Sequence, residues 1–138
     1  MPAPPLQVRY YMSPRFATIG EGQAVSEAIS LFTERNLFGA AVLDNLGNMV
    51  GVLSVTDCIG EAINEGFDAG SNRKVRVLMS KDVRSVDIDD NILDVAKMFM
   101  EQPYRRYPVM DDNRVVGVIT RLEVLKALSK IGHAGVAV

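Results

Sequence analysis

Apolar residues recur along the chain in a rhythm that is given twice. Val25, Ala28, Ile29 and Phe32 fall at i, i+3, i+4 and i+7, the spacing of one helical face, and Ile92, Val95, Ala96 and Phe99 fall the same way. A helix is therefore expected from 24 to about 36, and another from about 91 to 101, capped by Asp89 or Asp90 and limited by Pro103. Short apolar and β-branched runs surround each helix and read as strands, at 16–19, 38–43 and 49–53 and again at 83–86, 105–110 and 115–119. Helical spacing returns after each last strand, with apolar positions at Ile59, Ala62 and Ile63 and at Val124, Leu125 and Leu128. These positions predict helices from Ser54 to about Glu65 and from Thr120 to about Lys130. Each half reads strand, helix, strand, strand, helix, an α+β pattern of two pseudosymmetric halves.

The copies align residue by residue. They are displaced by 67 positions up to Asp44 and Asp111 and by 66 afterwards, and the slip falls in a polar turn. Met12-Ser13 matches Met79-Ser80, and Val42-Leu43-Asp44 matches Val109-Met110-Asp111. A unit of this size is marginal alone, because a small domain buries a smaller fraction of its surface, so the two are expected to share a core. The first repeat is assigned to 6–66 and the second to 73–130, with 67–72 as linker and 131–138 as a frayed tail. Short helices are expected ahead of Met12 and Met79. Gly39, Ala40 and Ala41 leave room for close approach of a ligand or for helix packing.

The nine residues Met49 to Asp57 and their copy Val115 to Glu123 carry the candidate chemistry. Each runs from a strand through a hydroxyl, Ser54 or Thr120, to an acid three residues later, Asp57 or Glu123. The hydroxyl can cap the following helix, and a carboxylate in the first turn stabilises it by roughly 0.3–1 kcal/mol. The same pair, one turn apart, can also hold the two hydroxyls of a ribose with phosphate near the helix end. Both readings stand on spacing alone. Glu61, farther along the same helix, is expected at the surface.

Composition narrows the classes. With 138 residues, 48% hydrophobic and 23% charged, the chain has the make-up of a soluble globular domain, and no apolar run is long enough to span a bilayer. The opening residues lack a signal-peptide pattern, so cytoplasmic residence is expected and no membrane partner. A net charge of −2 argues against nucleic acid as main partner. The single cysteine, Cys58, is expected in the core, and the single histidine, His133, falls in the expected tail. Neither suits catalysis, and an enzyme is not expected.

This repeated pattern resembles the CBS domain, named for cystathionine beta-synthase, in the tandem arrangement called a Bateman module. The resemblance covers 6–130 and rests on Met12-Ser13 and Met79-Ser80, on Tyr107-Pro108-Val109-Met110-Asp111, and on the glycine, hydroxyl and acid at Gly51 to Asp57 and Gly117 to Glu123. It implies paired three-stranded sheets with helices outside, two clefts between the repeats, and regulatory binding of AMP, ADP, ATP or S-adenosylmethionine. It also implies pairing into a homodimer and control of an attached or associated client protein. No cofactor is required beyond the adenine nucleotide as regulatory ligand, with or without magnesium.

Carried onto this chain, the resemblance implies that Asp57 accepts from ribose hydroxyls while Ser54 and Thr56 contact ribose or phosphate. Thr120 and Glu123 take those places in the second repeat, where Leu122 replaces the second hydroxyl. Thr18 and Ile19, and Ser85 and Val86, would lie near adenine and ribose. Arg105 and Arg106, with Tyr107 and Pro108, would lie toward phosphate, where the first repeat has Phe38-Gly39. The arginines beside Tyr104 and Tyr107 also fit a solvated surface or a protein contact. The alternative function is a structural or dimerisation module with little nucleotide affinity.

Overall fold

Short apolar runs set the strands, with the middle strand of each sheet buried continuously through its centre, and the computed structural model describes residues 3–65 and 73–133. Strands β1 (Thr18–Gly20), β2 (Gly39–Leu43) and β3 (Met49–Ser54) form one three-stranded sheet in that order. Strands β4 (Val86–Asp87), β5 (Arg106–Asp111) and β6 (Arg114–Thr120) form the other, again in chain order. In each the first pair is parallel and the second antiparallel, with the register shifting between Val42 and Leu43 and at the matching place between Val109 and Met110. The 67-to-66 slip lies in the hairpin turns. Asp44 Oδ1 accepts the Leu46 and Asn48 amides around Gly47 (φ 85°), whereas the second hairpin turns one residue sooner, with Asp112 at φ 54°.

The helices follow the predicted faces in part. Helix α1 (Val25–Arg35) buries Val25, Ala28 and Phe32, and α4 (Ile92–Glu101) buries Ile92, Val95 and Phe99. The cap of α4 is Asn91, which accepts the Leu93 amide at 2.8 Å. Asp89 and Asp90 instead build the preceding turn, where the Asp87 amide donates to Asp90 Oδ2 at 2.8 Å. Helix α2 (Val55–Glu65) turns Cys58 and Glu61 inward and leaves Ile59 and Ile63 exposed. Glu61 is 5% exposed, contrary to its expected surface position. It lies three residues from Cys58 and so on the same helical face, and its Oε2 is 3.2 Å from Arg73 Nη1. Helix α5 (Arg121–His133) buries Val124, Ala127 and Ile131, so the expected tail from 131 begins inside the helix; Leu125 is exposed instead. The expected linker 67–72 and residues 134–138 lie outside the described residues.

The compact units regroup the chain relative to the sequence repeats. Described residues up to Arg15 belong with those from Arg84 onward, and Phe16–Val83 forms the other unit. In the first of these, a 3-10 turn (Val8–Tyr10) lays a fully buried Val8 into the core. The Val8 amide donates to Asp90 O at 2.9 Å, and Ser13 exchanges backbone hydrogen bonds with Val118 at 2.8 and 2.9 Å. In the other unit the short helix α3 (Val75–Leu78) does the same: Val75 is fully buried and donates to Gln23 O at 2.9 Å, and Ser80 pairs with Val52. Each sheet core is thus completed by an opening segment from the other half of the sequence.

Candidate functional site

Register brings the candidate residues of each unit to one sheet end. In the unit of β1–β3, Gly39 is opposite Ser54 and Thr18 is opposite Ala41, so the starts of β1 and β2 share an end with the finish of β3. The chain then enters α2 through a reciprocal cap: the Ser54 amide donates to Asp57 Oδ2 at 2.9 Å, and the Asp57 amide donates to Ser54 Oγ at 3.1 Å. The Val55 amide is held by Phe38 O at 3.0 Å. Thr18 and Thr56 are exposed, Asp57 and Ser54 are half-buried, and Ile19 lies in the core.

The second sheet repeats this geometry. Arg106 is opposite Thr120, and Val86 pairs with Val109 three residues farther along β5. The Thr120 amide donates to Glu123 Oε2 at 2.8 Å, and the Thr120 hydroxyl donates to the same oxygen. The longer acid therefore folds back onto the strand end, as Asp57 does. Ser85 and Arg105 are exposed and Arg106 is half-buried. Burial pushes the Arg106 guanidinium below its ordinary value, and the neighbouring Arg105 charge adds to this.

Several expected contacts are core residues. Tyr107 is fully buried against Phe99, ring centroids 4.7 Å apart, and its hydroxyl donates to Gln102 Oε1 at 3.0 Å. Val86 lies in the same core and Pro108 is buried. With Ile19, these positions have buried side chains. The structure also adds residues that the motif spacing does not single out. Arg121, on the first turn of α5, reaches Tyr104 O through Nη2 at 3.4 Å. Arg84 precedes Ser85, and the charges of Arg84 and Arg121 both act on the Tyr107 phenol, whose pKa burial raises.

Burial pushes the Cys58 thiol up to about 11, with Asp57 and Glu61 adding to the shift, the opposite of an activated nucleophile. His133 Nδ1 lies 2.6 Å from Ser129 O at the far end of α5. Among the described residues no group of three or more His, Cys, Asp or Glu side chains is placed to hold a metal, and no helix is long and apolar enough to cross a membrane. Beside the Ser54 end, α1 and α2 enclose an apolar groove of about 480 Å³ lined by Ile29, Phe32, Leu37, Phe38, Cys58 and Ile59.

A family model described as CBS domain matches residues 8–64 and again residues 75–130. The chain belongs to the CBS domain family. It is a tandem pair whose α+β halves carry three strands each. Among its relatives, the uncharacterised protein MJ1232 of Methanocaldococcus jannaschii is 35% identical over 113 residues, covering 81% of this chain and 36% of that protein. The chloroplastic CBS domain-containing protein CBSX1 of Arabidopsis thaliana is 28% identical over 137 residues, covering 80% of this chain and 58% of that protein. The chain thus spans less than two thirds of these curated relatives. Among solved structures, CBSX2 of Arabidopsis thaliana in complex with AMP matches with a TM-score of 0.78 at 28% identity, covering 93% of this chain and 99% of that one.

Proposed function

We propose that this CBS pair is a regulatory module that binds an adenosine nucleotide at its strand-to-helix ends and controls an attached or associated protein. The observation that carries the reading is the similarity to CBSX2, whose structure holds AMP, over 93% of this chain. The paired hydroxyl and carboxylate at both sheet ends add to it, because a carboxylate already oriented by the strand-end amide is a preorganised acceptor for ribose hydroxyls. In this reading Asp57 and Glu123 accept from ribose, Ser54, Thr56 and Thr120 contact ribose or phosphate, and Thr18 and Ser85 lie beside the nucleoside. Ile19, Val86, Tyr107 and Pro108 contribute main-chain groups, and Arg105 and Arg106 meet phosphate. A ligand regulates by binding one arrangement of the module more tightly than another.

Calorimetric titration of the whole chain with AMP, ATP and S-adenosylmethionine, with and without magnesium, tests this. Asp57→Asn is the informative variant, because its side-chain oxygen can still accept the Ser54 amide while the charge is lost. Saturable binding is expected, weakened about tenfold by Asp57→Asn, in keeping with a hydrogen bond to a charged group. Asn64→Ala, exposed on the same helix, should leave it unchanged. A second reading, a dimerisation module with little nucleotide affinity, is favoured by the exposed Ile59 and Ile63 on α2 and Leu122 and Leu125 on α5. If no ligand saturates, that second reading replaces the first.

A further inference from the structure

The Met-Ser pair near the start of each repeat has no part in the nucleotide reading, yet the fold uses it twice in the same way. Each methionine closes the turn that carries a buried valine: the Met12 amide donates to Val8 O at 3.0 Å, and the Met79 amide donates to Val75 O at 2.8 Å. Its side chain then lies over a glycine of the crossed strand. Sδ and Cγ of Met79 are 2.6 and 3.0 Å from the point a Cβ on Gly51 would take, and those of Met12 are 2.8 and 3.3 Å from the matching point on Gly117. Both methionines pack against the core of their own unit and are half-buried. The serine after each is fixed to the strand. Ser80 O accepts the Val52 amide at 3.0 Å and Ser13 O accepts the Val118 amide at 2.9 Å, and each of these oxygens lies 2.8 Å from the same point as the sulfur.

A thioether suits this place because it is apolar and adaptable. A sulfoxide does not, since its oxygen adds bulk and is a polar acceptor, and here it meets strand backbone and a carbonyl oxygen that is already engaged. We propose that Met12 and Met79 are oxidation-sensitive latches, through which hydrogen peroxide releases the opening segments from β6 and β3. In the step a sulfur lone pair attacks one peroxide oxygen and the O–O bond breaks. The sulfur gives up two electrons and keeps that oxygen as the sulfoxide, while the other oxygen leaves as water with both protons. Methionine sulfoxide reductases reverse the change with a thiol as reductant. Gly51 and Gly117 lie three residues before Ser54 and Thr120, so the loosened crossing adjoins the strand ends that carry the hydroxyl–acid pairs.

The test is graded treatment of the whole chain with hydrogen peroxide, read by peptide mass spectrometry and native-state amide exchange. Met100, 87% exposed near the end of α4, should oxidise first and leave the crossing amides unaffected. Oxidation of Met12 and Met79 should then raise exchange at the Ser13, Val52, Ser80 and Val118 amides at least about tenfold and lower the urea midpoint, and a methionine sulfoxide reductase should restore both. Met12→Leu combined with Met79→Leu keeps the apolar volume and should remove most of the response. Sulfoxide at Met12 and Met79 with those four amides still protected would overturn the proposal. So would resistance of both methionines at doses that convert Met100 fully, or a double variant as sensitive as the wild type, which would assign the response to Met98 in the core. The wild-type exchange measurement decides the matter by itself if the double variant does not fold.

Discussion

A methyl group added at Gly51 would sit 2.6 Å from Met79 Sδ and 2.8 Å from the Ser80 carbonyl oxygen, and one at Gly117 would meet Met12 Sδ and Ser13 O, both at 2.8 Å. These glycines are required because an opening segment crosses the strand at that place. The carbonyl cannot retreat without breaking the backbone pairs Ser80–Val52 and Ser13–Val118. Gly51→Ala and Gly117→Ala should each destabilise by about 1–3 kcal/mol in urea unfolding. Gly60→Ala is the contrast: its added methyl meets nothing within 4 Å, and in the middle of α2 it should stabilise by about 0.5–1 kcal/mol. The residue pattern disclosed both strand glycines as matched positions, but not their reason, since Met12 and Met79 reach them through tertiary contacts. The hydroxyl–acid pairs were legible in the same limited way. Spacing allowed capping and ribose binding alike, and the structure makes the capping bonds at both ends without removing the acids from the sheet ends.

At the scale of elements, α2 shows what apolar spacing leaves out. Ile59, Ala62 and Ile63 suggest an inward face, yet Ile59 and Ile63 are exposed and the inward face holds Cys58 and Glu61. A charged residue at an inward position becomes tenable only with a partner, and Arg73, distant in sequence and 40% exposed at its side chain, supplies it. Glu61 Oε1 is buried without a hydrogen bond, so the carboxylate depends on that one ion pair for compensation. Arg73→Ala should destabilise by about 1–3 kcal/mol, below the cost of breaking a fully buried pair because Arg73 is partly solvated. Adding Glu61→Leu in that background should recover most of the loss, because an apolar side chain of similar size needs no partner. Urea midpoints of the single and double variants measure this, and no recovery would mean that the ion pair is not what holds Arg73 in place. By contrast, α1 and α4 were legible from their faces alone, because Val25, Ala28 and Phe32, and Ile92, Val95 and Phe99, join the core of their own unit.

For the whole chain, the two halves and their order of elements follow from hydrophobic period and repetition, but the exchange of opening segments does not. Periodicity is local, whereas the choice of which sheet receives Val8 or Val75 is made by long-range pairing, Gln7 with Asn91 across 84 positions and Ala24 with Lys74 across 50. The first pairing ties the first residues of the chain to the stability of its second half. Val8→Ala should cost about 1–3 kcal/mol and lower native-state amide protection around Val95 and Val109, which share its core, before it affects Val42 and Leu53 in the other core. Equal loss in both cores would contradict the assignment of Val8 to one unit. The function proposed for the whole chain depends on matched sheet ends being ligand-facing. Its most direct test is a two-dimensional amide NMR titration of the intact chain with AMP. Saturable shifts at Thr18, Ser54, Asp57, Thr120 and Glu123 are expected; saturation confined to Ile29, Thr33 and Ile59 in the α1–α2 groove, or no saturable shift at any residue, would contradict the account.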